Sequence, residues 1–391
     1  MNTDLLRQDT AGLRQGLFFN SAGASLMPRP VVSAMVEYLQ QEEQLGGYAV
    51  EQQRTADLER LYTELAILLN ARPHNFAFAW NATDAYNRAL SAIPFRRGDV
   101  ILTTDDDYIS NHIAFLALRQ RFGVEVRRAR NLPDGDLDLA DFEQQLRQHR
   151  PVLVAVTHVP TNSGLVQPVE AIGRLCRQSD TWYLVDASQS VGQLRVDVQQ
   201  LGCDFLNAPG RKFLRGPRGT GFLYISDRAL QAGLAPLFID RRGADWVAAD
   251  AYQPHPEGRR FEQQELGGTV LGLAEAVRYA NAVGIDQIAA RTRELHLQLR
   301  QLLSRQPHLR LLDRGSEQCS LVTFDAPGRA LEDLTQLLNA HKVAYTVSRR
   351  SFAILDFDRK GVDWAIRFSP HYFNTAEELE QVVSILATLR H

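Results

Sequence analysis

The chain has 391 residues, 45% of them hydrophobic and 23% charged, a composition that excludes disordered, collagen-like and rod-like proteins. This length favours two domains, and the formal charge of −3 provides no overall basic field that would attract nucleic acid. The three cysteines are too few for a disulfide framework and are typical of a reducing compartment. Without a signal-peptide pattern or an apolar run near the roughly 20 residues of a membrane span, we expect a cytoplasmic protein with no contact to membranes.

Strand-like apolar runs alternate with amphipathic helix-like runs between about residues 76 and 226. The pattern predicts strands at 76–80, 100–103, 124–126, 152–156, 182–185, 203–206 and 221–225. It predicts helices at 83–93, 113–122, 139–147 and 169–176. Continuous apolar strands separated by helices are typical of a mainly parallel sheet with helices on its faces.

The rest of the chain is more helical and predicts a second, smaller α+β domain. Two long periodic segments at 269–281 and 285–304 precede alternating elements, which are strands at 320–324, 343–347 and 365–368 and helices at 331–340 and from 375. We therefore predict a large domain at residues 18–284 and a small domain at 285–391, on which the N-terminal segment 1–17 packs.

Two residues stand out at the ends of predicted strands. Asp186 ends the strand at 182–185, and Lys212 follows the end of the next one. Ligands of open α/β sheets bind beyond the carboxyl ends of the strands. A carboxylate and an amine there suit pyridoxal phosphate, whose ring nitrogen pairs with an acid and whose aldehyde reacts with a lysine. Taken alone, however, the two residues are better explained without a ligand, with Asp186 as a helix N-cap and Lys212 as a surface-loop cation.

The order of motifs around these two residues resembles the class V aminotransferases, which include the cysteine desulfurases. The family pattern is Asp-x-x-Gln, Asp-Phe, a lysine and then Gly-Pro-x-Gly-x-Gly, which stands here as Asp186, Gln189, Asp204, Phe205, Lys212 and residues 216–221. The resemblance extends from about residue 19 to residue 375. It implies a pyridoxal-phosphate enzyme of fold-type I with a mainly parallel seven-stranded sheet, acting as a homodimer on an amino-acid substrate, and it implies no metal.

The resemblance also implies roles for the cofactor-binding residues. Lys212 would bond covalently to the cofactor and then transfer protons as the catalytic base and acid. Asp186 would pair with the ring nitrogen, and Gln189 would contact the phenolic oxygen. Ala82 and Thr83, at the start of a predicted helix, would bind the phosphate through backbone amides and a hydroxyl.

Three further residues are implied to face the ring or the substrate. Tyr108 occupies the position where desulfurases carry a histidine that stacks on the ring. Asn162 would approach the ring or the substrate, although its alternative is a plain turn residue. Arg367 matches the arginine that binds the substrate carboxylate, for which a guanidinium offers two parallel donors.

The chain departs from the desulfurase pattern at both phosphate-binding positions. The usual Ser-x-His-Lys is here Pro-Gly-Arg-Lys at 209–212, so we expect Arg211 to supply positive charge to the phosphate. The threonine that a partner subunit contributes after Arg-Phe-Glu is also missing, because Gln263, Gln264 and Glu265 follow instead. Glu265 would repel a phosphate, and our hypothesis is that it points away or faces a cationic part of the substrate.

A third departure concerns sulfur chemistry. The loop that carries the sulfur-accepting cysteine of desulfurases corresponds to residues 347–354, which contain no cysteine. Cys176 and Cys203 fall within predicted core elements, and Cys319 precedes a strand away from this loop. We therefore expect no persulfide on the enzyme.

The resemblance is strongest to the branch that holds ergothioneine-pathway carbon–sulfur lyases and isopenicillin N epimerase-like proteins. We predict a lyase that eliminates the sulfur group of a cysteine-derived substrate. Epimerisation and transamination begin with the same proton abstraction and stay open as alternatives. A non-catalytic protein that binds nucleic acid through Arg211, Lys212, Arg215 and Arg218 is disfavoured by the near-neutral charge.

Overall fold

Strands and helices alternate through most of the structure, a computed structural model that describes residues 1–263 and 266–390. The strands are β1 (Leu17–Phe18), β2 (Phe76–Ala79), β3 (Val100–Thr104), β4 (Glu125–Ala129), β5 (Leu153–Thr157), β6 (Trp182–Asp186), β7 (Phe205–Pro209), β8 (Gly221–Ile225), β9 (Ala244–Ala248), β10 (Ala251–Pro254), β11 (Arg310–Leu311), β12 (Val322–Asp325), β13 (Val343–Ala344), β14 (Thr346–Arg349) and β15 (Trp364–Phe368).

The helices cover the sheet faces and build most of the second half of the chain. They are α1 (Thr3–Gln8), α2 (Ser21–Ala24), α3 (Arg29–Leu45), α4 (Gly47–Gln53), α5 (Thr55–Leu69), α6 (Ala82–Ala92), α7 (Ile109–Phe122), α8 (Leu139–His149), α9 (Val169–Cys176), α10 (Val198–Leu201), α11 (Asp227–Gln231), α12 (Gly268–Val283), α13 (Ile285–Ser304), α14 (Leu331–Ala340), α15 (Ile354–Lys360) and α16 (Ala376–Ala387). Among the described residues, none of these helices combines the length and the apolar character needed to cross a membrane.

A seven-stranded sheet in the order β2-β8-β7-β6-β5-β3-β4 forms the centre of the fold. Only β8 runs antiparallel to its neighbours, and the remaining strands are parallel to one another. Every residue of β5, β7 and β8 is buried, which explains why these strands are mainly apolar in the sequence rather than alternating. The prediction of a mainly parallel seven-stranded sheet is confirmed.

Register places the carboxyl ends of three central strands side by side. Thr157 of β5 pairs with Asp186 of β6, and Asp186 pairs with Asn207 of β7. Because these strands are parallel, the loops that follow them leave the sheet at the same edge. This edge is where the predicted ligand-binding residues meet.

Several element boundaries differ from those predicted, and some elements were not predicted. The strand expected at 203–206 lies at Phe205–Pro209, because Cys203 and Asp204 belong to the preceding turn. Helices α3, α4 and α5 and the β9–β10 hairpin were not predicted. Much of the apolar surface of α3 and of the hairpin is exposed, so these two elements lack a clear inward-facing apolar pattern. Helix α5, in contrast, buries a regular apolar face and was missed despite it.

A second, four-stranded antiparallel sheet in the order β11-β12-β15-β14 lies within residues 310–368. Leu295, Leu299 and Leu303 of α13 pack against it in one apolar cluster, together with Ile366 and Phe368 of β15. Strand β15 is therefore an interior strand, and it also carries Arg367. The exact division between domains at residues 284 and 285 stays a prediction.

The N-terminal segment contacts both halves of the chain. Leu17 of β1 pairs with Val343 of β13, and Arg7 forms a 2.8 Å ion pair with Glu378 of α16. Asp9, however, accepts a 3.0 Å hydrogen bond from the hydroxyl of Tyr279 in α12. The segment thus contacts the elements on either side of the predicted domain boundary.

Arg215 is fully buried where these parts of the chain meet. Its guanidinium donates to the carbonyl of Leu26 at 2.8 Å, to the hydroxyl of Tyr372 at 2.7 Å and to the hydroxyl of Thr10 at 2.6 Å. Its backbone N–H donates to the carbonyl of Lys212 at 2.9 Å and closes the turn that carries this lysine. The buried cation therefore connects the N-terminal segment, the lysine turn and the segment after β15.

Candidate active site

A cavity opens at the carboxyl ends of β5, β6 and β7, next to the first turn of α6. It holds about 620 Å³ of empty space including its open mouth, within the usual range for a small-molecule site. Seven of the residues predicted from the sequence line it together, namely Ala82, Thr83, Tyr108, Asp186, Gln189, Arg211 and Lys212. Residues more than 100 positions apart in the chain thus form one site.

Asp186 is the last residue of β6 and is buried at the base of the cavity. Its carboxylate accepts hydrogen bonds from the backbone N–H of Ser188 at 2.9 Å, from the amide of Asn111 at 3.0 Å and from the amide of Asn207 at 3.4 Å. The residues after Asp186 form a turn and no helix, so its alternative role as a helix N-cap is not observed. All three donors are neutral, so no cation among the described residues forms an ion pair with this carboxylate.

Asn111 is a site residue that the sequence analysis missed. Its side-chain amide lies between two carboxylates, since it donates to Asp186 and also to Asp107 at 2.8 Å. Asp107 is buried, accepts from the Thr103 hydroxyl at 3.0 Å and is hydrogen-bonded by Thr157 as well. Burial raises the pKa of Asp107 above its ordinary value. The i, i+4 spacing of Asp107 and Asn111 is the one sequence signal that relates these residues.

Lys212 is buried beside this carboxylate, and its side-chain amine makes no hydrogen bond or ion pair with a described residue. Burial, reinforced by the nearby charge of Arg211, lowers the pKa of Lys212 to about 7, although Asp186 acts in the opposite direction. A large fraction of this amine is therefore neutral at physiological pH and available as a nucleophile or base. The chain contains only two other lysines, Lys342 and Lys360, a scarcity that would itself have pointed to Lys212.

The first turn of α6 forms the opposite end of the cavity. Asn81 caps this helix by accepting from the backbone N–H of Asp84 at 2.9 Å, while Ala82 and Thr83 line the cavity. A Cβ atom on Gly221 of β8 would lie 3.1 Å from the backbone nitrogen of Ala82, so a larger residue would displace the helix start. The last glycine of the Gly-Pro-x-Gly-x-Gly motif thus allows the first turn of α6 to pack closely against the sheet.

Arg367 lies buried behind the cavity wall. It donates to the carbonyl oxygen of Thr161 at 2.8 Å, to its hydroxyl at 2.9 Å and to the hydroxyl of Thr346 at 3.1 Å. Among the described residues it has no carboxylate partner, and its Nε atom is buried without a hydrogen bond. Burial lowers the pKa of Arg367 to about 10. An unpaired buried guanidinium next to a cavity is suited to binding a carboxylate.

Thr161 takes the place that the sequence analysis gave to Asn162. The structure puts Thr161 on the cavity wall, whereas Asn162 is buried and does not line the cavity. The hydroxyl of Thr161 also accepts from the side-chain amide of Gln189 at 2.9 Å, which connects Gln189 to Arg367. The turn after β5 thus directs Thr161 rather than Asn162 toward the cavity, and a role of Asn162 at the ring or the substrate stays a prediction.

Tyr108, Arg211 and Glu265 complete the set of predicted residues. Tyr108 precedes α7 and lines the cavity, as an aromatic residue that stacks on a ring requires. Arg211 also lines the cavity, and its guanidinium donates to the carbonyl of Gly23 in α2, so its role toward the phosphate stays a prediction. Glu265 lies outside the described residues.

Comparison with known protein families matches residues 17–382 to the model described as aminotransferase class V. The chain belongs to the class V aminotransferase family. It is therefore a member of a family of pyridoxal-phosphate enzymes, as the motifs predict. It is 30% identical over 387 residues to a probable cysteine desulfurase of Methanothermobacter thermautotrophicus, covering 97% of this chain and 96% of that relative.

Solved structures support the same family and fold. The apo structure of a cysteine desulfurase from Thermococcus onnurineus NA1 is 26% identical, superposes with a TM-score of 0.90 and covers 99% of this chain and 97% of that one. A cystine C–S lyase in complex with cysteine persulfide is 24% identical, with a TM-score of 0.85 and coverage of 97% and 99%. The second likeness concerns the fold alone. The prediction of fold-type I is confirmed, whereas these comparisons do not distinguish the lyase and epimerase branch.

The residues of the cavity fit pyridoxal phosphate. Lys212 is a buried amine without a partner, and Asp186 is a carboxylate whose charge no described cation neutralises. The first turn of α6 presents backbone amides for a phosphate. The side-chain oxygen of Gln189 is buried without a hydrogen bond and is available to a polar group of the cofactor. An acid, an amine and an anion site are the groups that this cofactor requires.

We predict that Lys212 reacts with amine-directed reagents at much lower pH than an ordinary lysine does. In the cofactor-free protein, its acylation rate should reach half of its maximum near pH 7, because its pKa is lowered to about 7. An ordinary lysine, with a pKa of about 10.4, titrates about three pH units higher. Peptide mass spectrometry of a pulse-labelling series at pH 6 to 10 measures this rate.

Exposed Lys342 provides the internal control in the same samples. Replacing Arg211 by Gln should move the Lys212 profile to higher pH, because it removes a repelling positive charge. A Lys212 profile that coincides with that of Lys342 would contradict the prediction.

Proposed function

We propose that this protein is a pyridoxal-phosphate enzyme that cleaves the carbon–sulfur bond of a cysteine-derived amino acid by α,β-elimination. The observation that carries the proposal is the combination of a buried lysine and carboxylate in one cavity with the absence of any accessible described cysteine. The first feature supports chemistry at Cα of an amino acid. The second supports elimination without transfer of sulfur to the protein.

The proposed roles follow from the positions of the side chains. When bound, the cofactor supplies an aldehyde that takes up the substrate amine and a ring that withdraws electrons from Cα. Asp186 would keep the ring nitrogen protonated, and the amides of Ala82 and Thr83 would hold the phosphate. Arg367 would orient the substrate through its carboxylate. The Lys212 amine, with its pKa lowered to about 7, is suited to removing the Cα proton.

The overall reaction is balanced without an oxidant or a reductant. The Cα proton passes to the Lys212 amine, and the Cβ–S bond breaks with its electron pair leaving on sulfur. The sulfur group then leaves as a thiol once it has gained a proton. Addition of water to the remaining three-carbon unit gives pyruvate and ammonia. No protein thiol takes part in any of these steps.

The three cysteines support this proposal through their burial. Cys176, Cys203 and Cys319 are all buried and unpaired. Burial raises the pKa of Cys176 and of Cys319 to about 12 and also raises the pKa of Cys203, so none readily forms the reactive thiolate. Unpaired cysteines are consistent with a cytoplasmic location, which we also propose.

The loop at residues 347–354 supports the proposed lyase and epimerase-like branch. It comprises the end of β14, a short 3-10 helix at Arg350–Phe352 and the start of α15. Thr346, just before this loop, donates to Asn20 at 2.6 Å and accepts from Arg367. The loop therefore adjoins the proposed carboxylate site, where a desulfurase would present its cysteine. Epimerisation and transamination remain alternatives because both begin with the same abstraction of the Cα proton.

The elimination test is to incubate the purified holoenzyme with S-substituted L-cysteines and to measure pyruvate and ammonia. We expect Lys212→Ala to lower turnover by about 10²- to 10⁴-fold, because the base is lost. Arg367→Leu should raise KM by about 10- to 100-fold more than Arg367→Lys does, because only the lysine variant keeps a charge for the carboxylate.

Two outcomes would contradict the lyase proposal. Interconversion of D- and L-amino acids without pyruvate would indicate an epimerase. Conversion of a keto-acid acceptor into an amino acid would indicate an aminotransferase. The borohydride-trapped adduct between cofactor and Lys212, located by peptide mass spectrometry, verifies the cofactor separately from these activities.

A cysteine-free variant tests the absence of a persulfide. Replacing Cys176, Cys203 and Cys319 together by Ala should leave kcat within about twofold of the parent, because none of them reaches the cavity. Stability should fall by about 1 kcal/mol per site, since each side chain is buried. Kinetic assay and urea unfolding measure these two effects. Loss of turnover in a folded variant that still binds the cofactor would show that a thiol is required.

We also propose that the protein forms a homodimer. Helix α3 exposes Val32, Val36 and Leu39 at i, i+4, i+7 spacing, and Trp246 of the β9–β10 hairpin is 80% exposed. Phe238, close to the hairpin in the chain, is 79% exposed. Large exposed apolar patches of this kind mark interaction surfaces. A second copy of the chain is the occupant that family membership favours.

A charge placed on this surface should dissociate the dimer. We expect Trp246→Glu to convert the protein to a monomer, because a carboxylate would be desolvated in the apolar interface. Sedimentation velocity measures the mass in solution. Leu297→Glu, at an exposed apolar residue of α13, is the control and should leave the mass unchanged. A monomeric parent protein would refute the proposal.

A further inference from the structure

Arg211 is a cation of the cavity for which the proposed reaction has no role. Its side chain lines the cavity, and the guanidinium donates to the carbonyl of Gly23. Its backbone carbonyl accepts from the N–H of Ser25 at 2.8 Å, so a second contact fixes the residue against the end of α2. Among the described residues, no carboxylate pairs with this guanidinium. Its charge is therefore available to a ligand.

The contacts of α2, which contains Gly23, connect the place where Arg211 is held to Arg367, the proposed carboxylate-binding residue. Ala22, next to Gly23, accepts from the amide of Gln189 at 3.1 Å. Gln189 in turn donates to Thr161 at 2.9 Å, and Thr161 accepts from Arg367. A short chain of hydrogen-bonded neighbours thus joins the segment that Arg211 contacts to the proposed carboxylate-binding residue.

The phosphate end of the cavity is built from different elements. Ala82 and Thr83 belong to α6, and the carbonyl of Ala82 accepts from Asn207 of β7 at 3.2 Å. None of the hydrogen bonds of Arg211 in the structure involves α6. The Arg211 guanidinium is thus held by α2, whereas the backbone amides suited to the phosphate belong to α6 on the same cavity.

Charge in the cavity is unbalanced in favour of anions. Asp186 is the single carboxylate among the described lining residues, and its role is to pair with the cofactor ring. Arg367 has the geometry for one carboxylate of the substrate. Arg211 remains as a second guanidinium that is half-buried, so its interaction with an anion is less screened than on the surface.

We propose that Arg211 binds an anionic group on the side chain of the substrate, so that the enzyme acts on amino acids with two negatively charged groups. The binding preference for a second anionic group does not depend on the proposed function. Only the statement about which reaction follows rests on it. In the lyase reaction, the fitting substrates are cysteines whose sulfur substituent carries a carboxylate. Elimination then releases a thiol that bears this carboxylate.

Two substrates of nearly the same shape test the inference. S-carboxymethyl-L-cysteine and S-carbamoylmethyl-L-cysteine differ by a carboxylate and a neutral amide. We expect the parent enzyme to prefer the anionic compound by at least about 10-fold in kcat/KM, the range for a hydrogen bond to a charged group. Arg211→Gln should abolish this preference, and Arg211→Lys should retain part of it. Arg218→Gln, at an exposed arginine of the same loop, is the control and should keep it.

Equilibrium binding separates this inference from the lyase proposal. Aspartate should perturb the visible absorbance of the bound cofactor at a lower concentration than asparagine does, and Arg211→Gln should remove the difference. If no substrate releases pyruvate but this difference exists, the elimination is refuted and the inference stands. Equal binding of both compounds by the parent enzyme overturns the inference.

The affinity for the cofactor shows whether Arg211 binds the phosphate instead of the substrate. If Arg211→Gln weakens cofactor binding by more than about 10-fold and leaves the ratio between the two substrates unchanged, the guanidinium serves the phosphate and the inference is wrong. Circular dichroism of each variant confirms that it is folded. Should Arg211→Gln fail to fold, the comparison of the parent enzyme with Arg211→Lys decides, because an unchanged ratio there also overturns the inference.

Discussion

Burial of the Arg215 guanidinium is the constraint on which the geometry of the active-site cavity depends. A guanidinium keeps its charge in the interior, so it must be surrounded by oxygen atoms and ring faces. The oxygens come from Thr10, Leu26 and Tyr372, and the ring of Phe373 lies 4.7 Å from the guanidinium carbon. Each unpaired buried partner would cost about 1–3 kcal/mol, which favours a single arrangement of these segments.

This arrangement determines the position of Lys212. Arg215 adopts a left-handed backbone conformation with φ of 61°, which a residue with a side chain adopts at a cost, and its N–H closes the turn onto the lysine carbonyl. The same turn passes Gly192, whose absent Cβ would lie 2.5 Å from the carbonyl carbon of Phe213. Lys212 therefore reaches the cavity from a backbone that is fixed on both sides, which is what a base needs to act at one defined atom.

The sequence predicts those site residues whose own chemistry and motif spacing are sufficient to single them out. Asp186 and Lys212 could be recognised because a parallel sheet brings the ends of its strands together and because their motif spacing is distinctive. Thr161 could not be distinguished from Asn162, since the choice depends on which way a turn directs its side chains. Asn111 was missed because it acts through two carboxylates that meet only after β3, β5 and β6 have paired.

The secondary-structure elements likewise differ in how far they could be predicted from the sequence. Buried strands such as β5 are recognisable from their own residues, because both faces of the strand are covered. Helix α3 is not, because its apolar residues do not all face the interior of its own chain. One set of its apolar residues packs against α12, and another set is exposed to solvent. The two sets together give no single apolar face in the sequence.

The scarcity of lysine has a consequence for how the protein meets aldehydes and other electrophiles. Of its 43 basic side chains, three carry a primary amine, and the amine of Lys360 is buried in an ion pair with Asp356. A carbonyl compound therefore meets basic side chains that are almost all guanidinium groups, which do not form imines under physiological conditions. Imine formation is therefore directed to the lysine of the cavity by composition alone, because very few other side-chain amines are present to compete for a carbonyl compound.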